Sequence, residues 1–274
     1  MIQRIANRVR AWATMLDAQI KRTHPLQQIG TAEGYDLVHL GTGYGGWTFV
    51  NDPALQGATI VSAGLGEDAS FDVEFVRRYG ARSVIVDPTP RAVAHHGAIM
   101  GRIGQPRTTD YVGGGDQPVD SYDLSGVSAE QLTLDQRALW NDETTVRFFR
   151  PRNPSNVSHS ILNYQHAYRD DTDHIEVPAV PLSRILSDHG IAADGLPLLK
   201  LDIEGAEVEV IERMLYDGIR PRQLCVEYDE FNVATRRAFA RIDRAHGRLT
   251  DAGYRCIHTD GKADFLYIDT RVFG

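Results

Sequence analysis

The sequence predicts an α/β protein built on one mostly parallel sheet, and three observations carry that prediction. Residues 59–91 read as strand, glycine loop, helix, strand and acid, which is half of a nucleotide-binding βαβ unit. Residues 198–201 and 223–226 are short apolar runs of the kind that fill buried parallel strands, and each ends on acids. Residues 254–258 and 263–268 are strand-like and joined through Asp260-Gly261, a favoured hairpin turn, so the last strand runs antiparallel.

The chain has 274 residues, enough for one large domain with appendages. Its 42% hydrophobic and 24% charged content is ordinary for a globular protein. A net charge of −8 argues against a nucleic-acid partner, and no apolar run approaches the roughly 20 residues of a membrane span. The two cysteines, Cys225 and Cys256, sit in strand-like runs and read as core thiols, which implies a reducing, cytoplasmic setting.

Taken in order, residues 1–22 place Ile2, Ile5, Val9, Trp12, Leu16 and Ile20 at three- and four-residue steps. That predicts an amphipathic helix within an N-terminal extension, 1–34, with an apolar face for the domain or for a second copy of the chain. An Arg-rich start of this kind also resembles a mitochondrial presequence, although Asp17 and Trp12 speak for the packing helix. A single domain then covers 35–274.

Gly41-Thr42-Gly43-Tyr44-Gly45-Gly46 fits the dinucleotide pattern G-x-G-x-x-G and follows a strand-like run. Yet Pro53 comes too soon for the required helix, and no acid stands about 20 residues on. It reads as a glycine-rich turn, either plain or carrying Tyr44 and Trp47 to a substrate pocket.

In residues 59–91, Gly64 and Gly66 turn the backbone and let it approach a ligand. Ser70 is expected to cap the following helix, Arg77 and Arg78 fill its last turn, and Gly80 stops it. Asp87 ends the next strand, where a ribose hydroxyl pair would meet it; the alternative is an acid capping the helix ahead of Pro88. Glu67, Asp68 and Asp72 crowd the place of a pyrophosphate, which prefers bare helix N–H groups. Three carboxylates there favour a nucleoside with cationic groups, such as S-adenosylmethionine, over NAD.

Residues 88–100 form the next expected helix, and 101–128 a polar, glycine-rich loop of the length that makes a lid or a disordered segment. Strands are expected at 132–134 and 146–149 with a turn between them, then a polar stretch from 150 to 174 and a helix from 181. The helix at 206–216 carries Val210, Ile211, Met214 and Leu215 and stops at Gly218; a charged helix covers 234–252. A parallel sheet closed by an antiparallel hairpin strand is the architecture of class I methyltransferases, whereas a wholly parallel fold would need a crossover helix at the end.

The stretches GYGGW (43–47), SAGLGEDASFD (62–72), DPTPR (87–91), SHSIL (158–162), LLKLDIEGAEVEVI (198–211) and RQLCVEYD (222–229) together resemble the FkbM-type S-adenosylmethionine-dependent methyltransferases. They occur in family order and cover most of the chain from about residue 35 onward. The resemblance implies a Rossmann-like fold with a seven-stranded sheet and methyl transfer to a hydroxyl of a sugar or secondary metabolite. Two features depart from the family: the length of the 101–128 loop, and Trp140 where a smaller residue is expected beside the adenine.

Strand ends in such sheets point into the ligand crevice, so Gly64, Asp87, Asp202 and Glu227 are expected to converge. Gly64, Gly66, Glu67, Asp68 and Ser70 would meet the methionine end of the cofactor. Asp87, Pro88, Thr89, Trp140 and Asp202 would complete its site. Tyr44, Trp47, His159, Glu227 and Asp229 would face the acceptor, a small hydroxylated molecule. Methyl transfer needs the acceptor oxygen held in line with the methyl at about 3 Å, and an aliphatic hydroxyl needs help to lose its proton. His159 is a base of suitable pKa, with Asp202 and Glu204 beside it in the catalytic half. His159 also reads as an ordinary polar loop residue, and Asp202, Glu204 and Glu207 as acids at a helix start. Asp202, Glu227 and Asp229 are also donors that Mg²⁺ accepts, but their spacing does not demand a divalent metal. Two other readings stay open: an NAD(P)-dependent oxidoreductase, and a non-catalytic module of the same fold.

Overall fold

The computed structural model describes residues 23–149, 173–233 and 235–273; the expected helix at 1–22 and the segment holding His159 lie outside the described residues. The glycine-rich turn at 41–46 joins β1 (Leu37–Leu40) to β2 (Trp47–Val50) as an antiparallel hairpin, with no dinucleotide-type helix after it. The βαβ unit forms as β3 (Thr59–Ala63), α1 (Ser70–Tyr79) and β4 (Arg82–Val86). After α2 (Pro90–Met100) come β5 (Leu132–Asp135), β6 (Ala138–Leu139), β7 (Thr144–Phe149), β8 (His174–Val180) and α3 (Leu182–Asp188). The second half runs β9 (Leu198–Leu201), α4 (Glu207–Tyr216), β10 (Gln223–Glu227), α5 (Arg236–Asp251), β11 (Tyr254–Thr259), β12 (Asp264–Asp269) and α6 (Thr270–Phe273).

The large sheet has seven strands in the order β11-β12-β10-β9-β3-β4-β5. Neighbours from β10 to β5 are parallel, and β12 runs antiparallel between β10 and β11. The order reverses between β3 and β9, and a crevice is expected at the strands' carboxyl ends there. Side chains alternate across this sheet. Val61, Ala63, Val84, Val86, Leu199, Leu201, Leu224 and Val226 fill the layer shared with α3, α4 and α5, while Ile60, Leu198 and Cys225 face the other way.

On that second face α1 packs through Phe71, Phe75 and Tyr79, buried residues at four-residue steps. Phe49 of β2 meets Phe71 edge-on at 6.0 Å between centroids, which ties the hairpin to α1. Gly80 ends the helix in the left-handed conformation, as its sequence predicts.

Four expectations are corrected. Ser70 does not cap α1: its Oγ accepts from the Thr42 N–H at 2.9 Å, while Asp68, two residues upstream, accepts from the Ser70 N–H. Asp72 does not face the glycine loop, because the third position of α1 points inward, where the carboxylate accepts from Ser83 Oγ at 2.5 Å. The strand at 144–149 does not turn back on β5; it pairs with β8, an element missed in sequence, and β6-β8-β7 form a separate three-stranded sheet. The 101–128 loop is ordered by its own apolar residues, since Tyr122, Leu124 and Val127 are buried against Val76 of α1 and Ile99 of α2.

Candidate active site

At the carboxyl ends of β3, β4, β9 and β10 lies a cavity of about 430 Å³, a size suited to a small ligand. Its first half is the glycine loop and the end of β4. Gly64 takes a φ of 87°, and a Cβ there would stand 1.8 Å from the Asp202 carbonyl oxygen, so only glycine lets the two halves of the crevice touch. The Asp87 carboxylate staples this loop. Oδ2 accepts from the N–H groups of Leu65 and Gly66 at 2.9 and 3.0 Å, and Oδ1 accepts from the Thr89 N–H and hydroxyl at 2.8 and 2.6 Å.

Two amides at the helix start are engaged as well. Ala69 N–H donates to the Tyr122 hydroxyl oxygen at 3.0 Å, and Ser70 N–H to Asp68 at 2.9 Å. Asp68 also accepts from the Thr42 hydroxyl at 2.6 Å, and Glu67 pairs with Arg91 at 3.0 Å. Of the three acids read as crowding the loop, Glu67 and Asp68 line the cavity and Asp72 does not.

The second half comes from β9, β10 and the β11–β12 turn. Asp202 follows β9, and its carboxyl forms a hydrogen-bonded pair with that of Glu227 at the end of β10. The Asp202 charge, then burial, then that hydrogen bond push the Glu227 carboxyl well above the usual carboxylate range. Asp264, on the neighbouring strand, is pushed up to about 7 by burial and by Asp260 and Asp202. Carboxyls this close share protons because they cannot all ionise cheaply.

The turn after Asp202 is held from behind. Glu204 takes a φ of 56°, a left-handed conformation that costs a non-glycine residue about 1 kcal/mol. Glu207 Oε1 accepts from the Ile203 N–H at 2.7 Å, and Arg241 donates to the Gly205 carbonyl at 3.0 Å. Glu207 is fully buried, and burial followed by the charges of Glu230 and Asp229 pushes its carboxyl well above the usual range.

Tyr44 and Trp47 both reach the cavity, Tyr44 at the rim beside Gly115 and Trp47 buried in the wall. Partial burial of its hydroxyl end, then the charges of Asp202, Glu204 and Glu227, raise the Tyr44 phenol pKa. Pro88, Thr89 and Asp229 also line the cavity. Ser70 does not, being consumed by Thr42, and neither does Trp140, whose side chain packs with Val146 and Phe148 while its backbone N–H donates to the Val180 carbonyl. The wall beyond Pro88 is instead Ala138, Leu139 and Phe148. Among the described residues no group of three or more His, Cys, Asp or Glu is arranged to hold a metal ion.

Sequence reasoning missed Lys200, Asp264 and the Leu139–Phe148 wall. A lysine inside the apolar run LLKL was the available signal for the first; the others come from elements distant in sequence.

The Methyltransferase FkbM domain model matches residues 53–256. No curated protein and no solved structure matches the chain.

Proposed function

The chain belongs to the FkbM methyltransferase family, and from that premise we propose that it transfers a methyl group from S-adenosylmethionine to a hydroxyl of a small acceptor. One observation carries the choice of cofactor. The amides a pyrophosphate would need, those of Leu65, Gly66, Ala69 and Ser70, all donate to the protein's own side chains, and three of them to carboxylates. A dinucleotide finds these four amides already taken and meets negative charge. A nucleoside with an ammonium and a sulfonium meets carboxylates it can pair with.

The residues present fit that cofactor. Glu67 and Asp68 would accept from its ammonium, Asp87 and Thr89 would meet its ribose, and Val86, Leu139 and Phe148 would offer an apolar wall for the base. With four donors already on the Asp87 carboxylate, a ribose hydroxyl would share or displace the Thr89 contact. When bound, the cofactor supplies an activated methyl carried on sulfur.

The chain's own work lies in the second half. The acceptor is held between Tyr44, Trp47 and the acids after β9 and β10. As the carbon–oxygen bond forms, the hydroxyl proton passes to the Asp202–Glu227 pair, in which the Asp202 charge and burial raise the proton affinity of the Glu227 carboxyl. Glu204 lines the same pocket, and His159, outside the described residues, is a second base available to this reading.

A mass-difference screen of small hydroxylated metabolites tests the proposal. Products gaining one methyl on oxygen, with one S-adenosylhomocysteine formed per product, are expected. Methyl found only on nitrogen or carbon would overturn the hydroxyl assignment.

A further inference from the structure

Lys200 lies inside β9, 5% exposed along its side chain, on the sheet face toward α1 and the hairpin. Its ammonium donates to the carbonyls of Ala63, at 3.4 Å, and of Gly64, stands 3.5 Å from Asp202 Oδ2, and lies 5.6 Å from the centroid of the Trp47 ring. These groups belong to the end of β3, the glycine loop, the turn after β9 and the hairpin. The ammonium therefore sits at the reversal of strand order, on the seam between the two halves of the cavity.

A lysine costs several kcal/mol to bury without compensation, so its partners must be fixed in place to hold it. Of the ammonium's three donors, two go to the Ala63 and Gly64 carbonyls, and the Asp202 carboxylate stands within ion-pair distance. Its contacts are thus with the protein's own loop and turn, which is what a seam-holding role requires. Of the two paired carboxyls, Asp202 is the one beside the ammonium, so the pair's proton is steered toward Glu227, away from the cation.

We propose that Lys200 is a positioning residue: one ammonium ties the glycine loop of the cofactor half to Asp202 of the catalytic half, fixing the distance between methyl donor and proton acceptor. The proposal rests on the reading of Asp202 and Glu227 as the proton-accepting pair. The charged groups facing this pair and the ammonium come from every side. They are Glu204 after β9, Asp260 and Lys262 from the β11–β12 turn, Asp264 at the start of β12, Tyr44 from the hairpin and Asp72 from α1.

The test compares wild-type protein with Lys200→Met, which keeps length and loses charge, and Lys200→Arg, which keeps charge. In Lys200→Met, kcat is expected to fall about 100-fold with acceptor KM within about threefold, the mark of lost alignment. Carboxyls that lose a cation hold protons more tightly, so the rise of kcat with pH moves upward by about one unit. Hydrogen exchange quickens together in segments 63–66 and 201–205. Lys200→Arg restores the wild-type position of the pH profile and slows the exchange again. An unmoved profile, a Lys200→Arg protein as impaired as Lys200→Met, or unchanged exchange in a folded Lys200→Met would each overturn the proposal. Should wild-type protein transfer no methyl at all, the proton-acceptor reading fails, while exchange in the two segments still decides whether Lys200 joins them.

Discussion

Asp87 shows how one carboxylate carries two readings. Its place after β4, about 20 residues beyond the glycines, marks it as a ribose ligand. Its hydrogen bonds show it holding the loop that would carry the cofactor, so Asp87→Ala removes a staple as well as a ligand. Glu207 separates the two roles more cleanly, since it supports the Asp202 turn without lining the cavity. Its Oε2 is buried without a hydrogen-bond partner, near Glu230 and Asp229. Because its folded pKa is raised, the native state holds a proton the unfolded chain gives up, and stability is lost as pH rises from the unfolded value through the folded one. Glu207→Gln keeps the acceptor for Ile203 and removes the charge. Denaturant unfolding should show the variant losing less stability than wild type between pH 5 and pH 8. Glu207→Ala leaves the Ile203 N–H without its acceptor and should cost about 1–3 kcal/mol at pH 5, a deficit that narrows toward pH 8 as wild type alone loses stability.

At the scale of elements, the strand–loop–helix–strand unit was legible because each part is locally determined. β-branched residues make β3, Gly80 ends α1, and Pro90 starts α2. What local pattern did not settle was which side chains of α1 turn inward. Ser70 and Asp72 were assigned to the loop from their position in sequence, yet helical geometry aims Asp72 at Ser83 and the hairpin draws Ser70 to Thr42. The loop's two glycines make a graded test. Both take positive φ, but a Cβ on Gly64 meets the Asp202 carbonyl and one on Gly66 meets nothing within 4 Å. Gly66→Ala should cost about 1 kcal/mol from backbone strain alone. Gly64→Ala should cost roughly 2–5 kcal/mol, from strain plus overpacking. Equal losses in chemical denaturation would contradict the close contact of the two halves.

Across the whole molecule, the closing hairpin and the short apolar runs made a mostly parallel sheet with an antiparallel end readable in the sequence, and the family resemblance implied its seven strands. The cavity was only half readable. Gly64, Asp87, Asp202 and Glu227 sit at strand ends, a position that sequence can mark, and they do line one space. Leu139 and Phe148 arrive from a separate three-stranded sheet whose pairing joins residues far apart in the chain, and no local signal announces that. Trp140 was the more conspicuous residue, and it does not line the cavity. The footing for a cationic nucleoside is the engagement of the loop's amides more than the number of acids around it. Calorimetric titration of the full chain with S-adenosylmethionine, S-adenosylhomocysteine and NAD tests that footing directly. Both sulfur nucleosides should bind at one site per chain and NAD should not; binding of NAD with neither sulfur nucleoside would contradict the account.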